Sequence, residues 1–201
     1  MASFTIAQTL VKRAEGGYSN DARDPGNYTG GSIGSGTLIG TNWGISAPVL
    51  KAYLGYSPSV SEMENLPYST AEKIYKAQYW NAIKGDTIQN QKLANMLYDT
   101  AVNMGVGRAY EFVKKSLNIP SYDISKVNGA NATRLFNDIG KLREAFYIQR
   151  GGYALNSWLN RLKDLGYGGI SAVGGKRNAA LLFIFAVGTL VAGYVLFNKT
   201  K

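Results

Sequence analysis

Neither histidine nor cysteine occurs anywhere in this 201-residue sequence. The first absence removes Ser-His-Asp and Cys-His catalysis and every imidazole-ligated metal. The second removes disulfides, thiolate zinc sites and a thiol nucleophile. Acidic residues are also in deficit, with 13 Asp+Glu against 22 Lys+Arg and a formal charge of +9. Such a balance predicts attraction to polyanions: nucleic acid, anionic lipid or an acidic cell-wall polymer. At 45% hydrophobic residues the composition is ordinary for a chain with a packed core, and the length suits one main domain. Chemistry is left to carboxylates, hydroxyls, amides, Lys, Arg and Tyr.

The charge is unevenly placed. All 13 acids and 18 of the 22 basic residues precede Lys176, so the head carries +5. Lys176, Arg177, Lys199 and Lys201 supply the rest with no acid among them. Between those basic pairs, Ala179 to Phe197 is a run of 19 uncharged residues, AALLFIFAVGTLVAGYVLF. As a helix it would be roughly 28 Å long, close to the hydrocarbon thickness of a bilayer. Gly188 and Gly193 are tolerated in membrane helices, and Tyr194 suits an interface. A transmembrane helix over 178–197 is expected, with a short basic tail at 198–201. The Gly-rich stretch 166–177 reads as a flexible linker by composition. The opening residues MASFTIAQTLVKRAEGG lack the basic, apolar, small-residue order of a secretory signal.

Residues 1–165 read as a mainly α domain of α+β order, with one helix, a polar β-like flap and then a bundle of helices. Phe4, Ile6, Ala7, Leu10, Val11 and Ala14 recur at helical spacing behind a capping Ser3, and Gly16-Gly17 stops the helix. Residues 18–44 are rich in Gly, Asn, Thr, Ser and Asp, with turn signals at Asp24-Pro25-Gly26 and Gly30-Gly31. Loops and a small β-hairpin flap are expected there. Helical pattern resumes after Ser46. Ser69-Thr70-Ala71-Glu72 has capping-box spacing. Further helices are predicted over about 89–104, 108–117, 131–150 and 154–165, the part from about 95 to 165 forming a C-terminal helical bundle.

Glu15 ends the first helix, where the macrodipole modestly disfavours an ionised carboxylate. A solvated last-turn Glu would look the same, and a turn-initiating Asp24 before Pro-Gly is common by itself. Together the two acids have the equipment for glycoside hydrolysis. One protonates the leaving oxygen while the other activates water or attacks directly, with no metal, cofactor, histidine or cysteine.

Glu15-Gly16-Gly17-Tyr18-Ser19-Asn20-Asp21, Asp24-Pro25-Gly26 and Thr41-Asn42-Trp43-Gly44-Ile45-Ser46 together resemble the signature of the glycoside hydrolase family 108 N-acetylmuramidases. Tyr75 through Tyr79-Trp80 resembles the family's aromatic helix. Tyr98-Asp99-Thr100-Ala101-Val102-Asn103-Met104-Gly105 resembles the start of its peptidoglycan-binding-like helical half, and Arg150, Tyr153 and Trp158-Leu159-Asn160-Arg161 its end. The resemblance implies a lysozyme-like fold and cleavage of the β-1,4 bond between N-acetylmuramic acid and N-acetylglucosamine in peptidoglycan. It implies Glu15 as general acid. By similarity to phage-type lysozymes, Asp24 is then the base or water-orienting group and Thr41 its hydroxyl partner. One departure stands out: Asn27 to Gly40 is much longer than the corresponding part of the family pattern. This insertion leaves Thr29 as a rival to Thr41.

Asn42 and Asn103 are candidates for hydrogen bonds to acetamido groups, and Tyr18 and Trp43 for substrate contact. For Trp43, Tyr79 and Trp80 a place in the core is the favoured reading, because aromatic side chains contribute most through burial. Three other functions compete: a lytic transglycosylase using Glu15 alone, a catalytically idle wall-binding or structural membrane protein, and nucleic-acid binding, which rests on charge alone. The expected setting is the internal membrane of a lipid-containing bacteriophage virion, with its membrane proteins as neighbours. The other setting is a bacterial inner membrane with the head facing the wall.

Overall fold

In the computed structural model the described residues are 1–12, 16–152 and 154–169. Glu15 therefore lies outside them, as do Tyr153 and the candidate membrane span at 178–197. Among the described residues no helix is long and apolar enough to cross a membrane.

Helix α1 (Phe4–Lys12) buries Ala7, Gln8 and Val11 along one stripe. After the irregular segment 16–46 come three short helices: α2 (Ala47–Leu54), α3 (Val60–Glu64) and α4 (Tyr68–Tyr75). The capping box expected at Ser69 forms ten residues earlier, where Ser59 Oγ accepts from the Glu62 amide and Glu62 reaches back to the Ser59 amide. Both sites have the same spacing. Pro67, with φ −64°, is the residue before α4 and the helix begins at Tyr68, so Ser69 already lies inside it.

Helix α4 runs into a π-helical turn, Lys76–Trp80, closed by the Asn81 amide donating to the Lys76 carbonyl at 2.9 Å. The extra residue turns Trp80 fully inward, where its Nε1 donates to Asp86 at 2.8 Å. Helix α5 (Gln91–Met104) is capped by Asn90 and buried on nearly every side, because α1, α6, α8 and the π turn surround it. Gly105, at φ +88°, breaks the chain sharply between α5 and α6 (Val106–Leu117). Helices α7 (Ile124–Gly129), α8 (Ala132–Arg150) and α9 (Leu155–Asp164) complete the bundle.

Two expectations change. No strand forms among the described residues, and the flap is a loop held by isolated antiparallel bridges at Ser19–Thr41, Tyr28–Leu38 and Asn42–Ile45. A continuous ladder is interrupted by Gly36 and Gly40, whose φ values of +75° and +89° do not belong to a strand. The expected linker also begins inside the fold. Tyr167 is buried against Gly140 of α8 and donates to Glu144 at 3.2 Å.

Candidate functional site

Two clamps hold the chain on either side of Glu15. Upstream, the Lys12 ammonium sits 3.9 Å over the Tyr68 ring, which meets Trp43 edge to face at 5.4 Å. Downstream, Ser19 and Thr41 exchange both backbone hydrogen bonds, at 2.8 and 2.7 Å. Lys12 thus reaches the loop of Thr41, Asn42 and Trp43 through Tyr68, and Ser19 reaches it directly.

Asp24 joins this arrangement through Asn27. Asp24 caps a 3₁₀ turn (Pro25–Asn27), its Oδ1 accepting from the Gly26 amide at 2.8 Å. Buried Asn27 donates through Nδ2 to the Asp21 carbonyl, while its own carbonyl accepts from Ile39 and Gly40. Gly40 precedes Thr41, so the acidic turn and the Thr41 hydroxyl lie on adjoining pieces of backbone. Asp24 itself is exposed. On the same turn Arg23 holds Asp21 by a forked ion pair with its closest contact at 2.7 Å. The side-chain hydrogen bonds, reinforced by the Arg23 amide, pull the Asp21 carboxyl down to about 2.

The two threonines differ. Thr29 is buried, and its Oγ1 accepts from the Thr37 amide at 2.9 Å, closing the inserted loop. Thr41 is half-buried, with its backbone committed to Ser19 and no side-chain hydrogen bond within the described residues. Asn42 is buried and gives both amide protons to the Met63 and Glu64 carbonyls, each at 2.9 Å, so its donors fasten α3 to the loop. Trp43 takes a left-handed conformation, φ +51°, which costs a bulky residue about 1–3 kcal/mol. Its Nε1 donates to the Leu66 carbonyl at 2.9 Å, and its carbonyl accepts from Tyr75 at 3.0 Å. Tyr18 lays its ring over Gly40, where a Cβ would come within 2.6 Å, and donates to the Ile39 carbonyl at 3.3 Å.

Asn103 approaches from α5. Ser3 pairs with Gln91 and Gln8 with Tyr98, so α1 and α5 run in parallel and end at the same side of the molecule. Asn103 therefore lies near the Lys12 end of α1. Its Oδ1 accepts from Tyr147 at 2.7 Å.

Residues 8–105 match the family model Glycosyl hydrolase 108. The chain is a glycoside hydrolase acting on peptidoglycan. The hydrolase is also similar to the solved structure of Brucella abortus SagA, with 25% identity, a TM-score of 0.64, and coverage of 81% of this chain and 90% of that one. That likeness extends past residue 105 into the helical half. No curated protein matches the sequence.

Several residues around the hydrolase site were not singled out by sequence. Gln8 accepts from Tyr98 and donates to Tyr68 at 3.1 Å. Its one visible signal is a polar side chain on an apolar helical stripe. Burial above all, with neighbouring Tyr75, Tyr68 and Tyr79, pushes Tyr98 far above the usual phenol range, so it remains a donor. Asn27 carries no such signal, because its role depends on a loop closure that no local pattern encodes.

Proposed function

We propose that this hydrolase is an N-acetylmuramidase that cleaves the β-1,4 bond between N-acetylmuramic acid and N-acetylglucosamine. Glu15 protonates the leaving glycosidic oxygen. Asp24 and Thr41 hold and activate water on the other face of the sugar, which makes this a two-carboxylate hydrolysis without metal or cofactor. The carrying observation is the Ser19–Thr41 exchange of hydrogen bonds, which ties the segment following Glu15 to the threonine, with the Asp24 turn attached through Asn27 and Gly40. A water-activating pair opposite a general acid requires that the backbone segments carrying the three groups be joined in this way.

The run at 178–197, bracketed by basic residues, anchors the head in a membrane. The setting that suits such a tethered lytic head is the internal membrane of a lipid-containing bacteriophage, where it opens the wall at entry. Finding the protein in purified virions, released only by detergent, is the expected result; its absence from virions would remove that part.

Turbidity loss of purified cell walls tests the chemistry. Glu15→Gln is expected to lower the rate at least a hundredfold, in line with the 10²–10⁴ contributed by general acid catalysis. Products heavier by one water support hydrolysis, whereas anhydro-sugar ends would identify a lytic transglycosylase. Full lysis by Glu15→Gln would end the proposal.

A further inference from the structure

A polarised hydrogen-bond chain runs through the buried centre of the helical bundle and ends at Asn103. Asp99 on α5 is gripped by two arginines, Arg143 Nη2 on Oδ2 and Arg161 Nε on Oδ1, both at 2.7 Å. Arg143 is fully buried and also donates to the Tyr147 hydroxyl at 2.8 Å. A guanidinium has donors only. The Tyr147 oxygen is therefore the acceptor in that contact, and its single proton is left for Asn103 Oδ1 at 2.7 Å. Nothing in this chain can reverse without leaving a buried donor facing a donor, a cost of about 1–3 kcal/mol. The ring of Tyr147 is held as well, stacked on Trp158 at 5.3 Å and 25°.

The consequence falls on the amide. With its carbonyl turned to Tyr147, the Asn103 NH₂ is left on the opposite side of the amide from Tyr147, and it has no acceptor among the described residues. Asn103 is half-buried, so this is a donor pair with a fixed aim, at the end of α5 that lies beside the end of α1.

We infer that Tyr147 is a positioning residue that locks the Asn103 amide, so that its N–H groups bind the carbonyl oxygen of a substrate N-acetyl group. Arg143 and Asp99 hold Tyr147 in that state. This rests on the muramidase reading for the nature of the ligand. An N-acetyl carbonyl is a neutral acceptor that an amide donor satisfies, whereas a de-N-acetylated sugar offers an ammonium donor that it repels. The assignment therefore makes Asn103 a determinant of preference for N-acetylated glycan.

The test uses the full-length chain carrying Glu15→Gln, so that ligand is bound without turnover. The probes are the N-acetylglucosamine tetramer and its de-N-acetylated counterpart. The parent is expected to bind the acetylated tetramer about tenfold more tightly, the scale of one well-placed hydrogen bond. Asn103→Asp keeps an oxygen before Tyr147 but turns an oxygen outward, and should abolish that preference while melting within a few degrees of the parent. In Tyr147→Phe the Asn103 side-chain amide signals should move in the free protein and the preference should shrink. With Glu15 restored, Asn103→Asp should raise KM about tenfold and leave kcat within about threefold, the mark of uniform binding.

Unchanged preference in Asn103→Asp overturns the inference. So does a Tyr147→Phe protein with parental amide signals and parental preference. If Tyr147→Phe does not fold, the Asn103→Asp result alone decides whether the outward donor binds the N-acetyl group. Turnover by Glu15→Gln would instead defeat the proposed chemistry and leave the binding measurements standing.

Discussion

Ser19 and Thr41, 22 positions apart, donate to each other's carbonyls at 2.8 and 2.7 Å. This pairing uses only the backbone of Thr41 and leaves its hydroxyl uncommitted. Thr29 is the reverse case, since its hydroxyl closes the inserted loop by accepting from Thr37. Thr41→Val should therefore keep the parental melting temperature and lose about tenfold or more in turnover, the scale of one lost hydrogen bond to the reacting water. Thr29→Val should lose about 1 kcal/mol of stability, the ordinary worth of one such bond, with a smaller kinetic effect. Urea unfolding and wall turbidity, measured side by side, distinguish the two. A larger rate loss in Thr29→Val would transfer the hydroxyl role to Thr29.

Asp24 has two jobs that a single substitution separates. Its Oδ1 caps the 3₁₀ turn by accepting from Gly26. Asparagine retains that oxygen but carries no negative charge. Asp24→Asn is thus expected to fold normally and to lose about 10²–10⁴ in turnover, as removal of a general base does. Parental kcat in this variant would show that Asp24 only shapes the turn.

The Asp21–Arg23 pair gives a pH signature. Arg23 holds the folded carboxyl at about 2, below its ordinary 3.8. A depressed carboxyl contributes stability above the unfolded value, and that contribution is lost as pH falls from 3.8 towards 2. Titration by carboxyl NMR should find Asp21 still ionised at pH 3. In Arg23→Gln its midpoint should return towards the ordinary range. An unmoved midpoint would mean that the charge pair is not formed in solution.

Gly85 sits against the face of Trp80, where an added Cβ would come within 2.3 Å of the indole ring. Both are held in place, Gly85 by a 3₁₀ turn and Trp80 by its bond to Asp86. Gly85→Ala should cost about 1–3 kcal/mol through overpacking. Thermal or urea unfolding reads this directly, and a variant as stable as the parent would show that the π turn can shift.

Much of the helical bundle was legible because local signals agree with the tertiary outcome. Leu93, Met96, Leu97 and Ala101 mark the stripe of α5, and Asn90 and Asn131 cap α5 and α8 through bonds to Leu93 and Arg134. Local signals also misled. Ser59 and Ser69 each precede a glutamate by three, and only the position of Pro67 decides which becomes a cap. The flap was read as a hairpin because turn residues and short polar runs suit one. Gly36 and Gly40 instead break the ladder into isolated bridges. Asn42 looked available to a sugar, yet its amide protons are given to α3, a fact set by carbonyls more than twenty positions away.

The absence of histidine and cysteine by itself narrowed the chemistry to carboxylates, hydroxyls, amides, Lys, Arg and Tyr, because it removed every imidazole and thiol step. The uneven charge separated a modestly basic head from a bracketed apolar run for the same kind of reason, since composition alone determines charge. Tertiary structure decided which partners meet. The Ser19–Thr41 exchange, the bonds from Ile39 and Gly40 to Asn27 and the bond from Tyr147 to Asn103 join residues between 12 and 44 positions apart. Their bonds are directional and nonlocal, so no periodicity in the chain encodes them; they exist only once packing has brought the groups together.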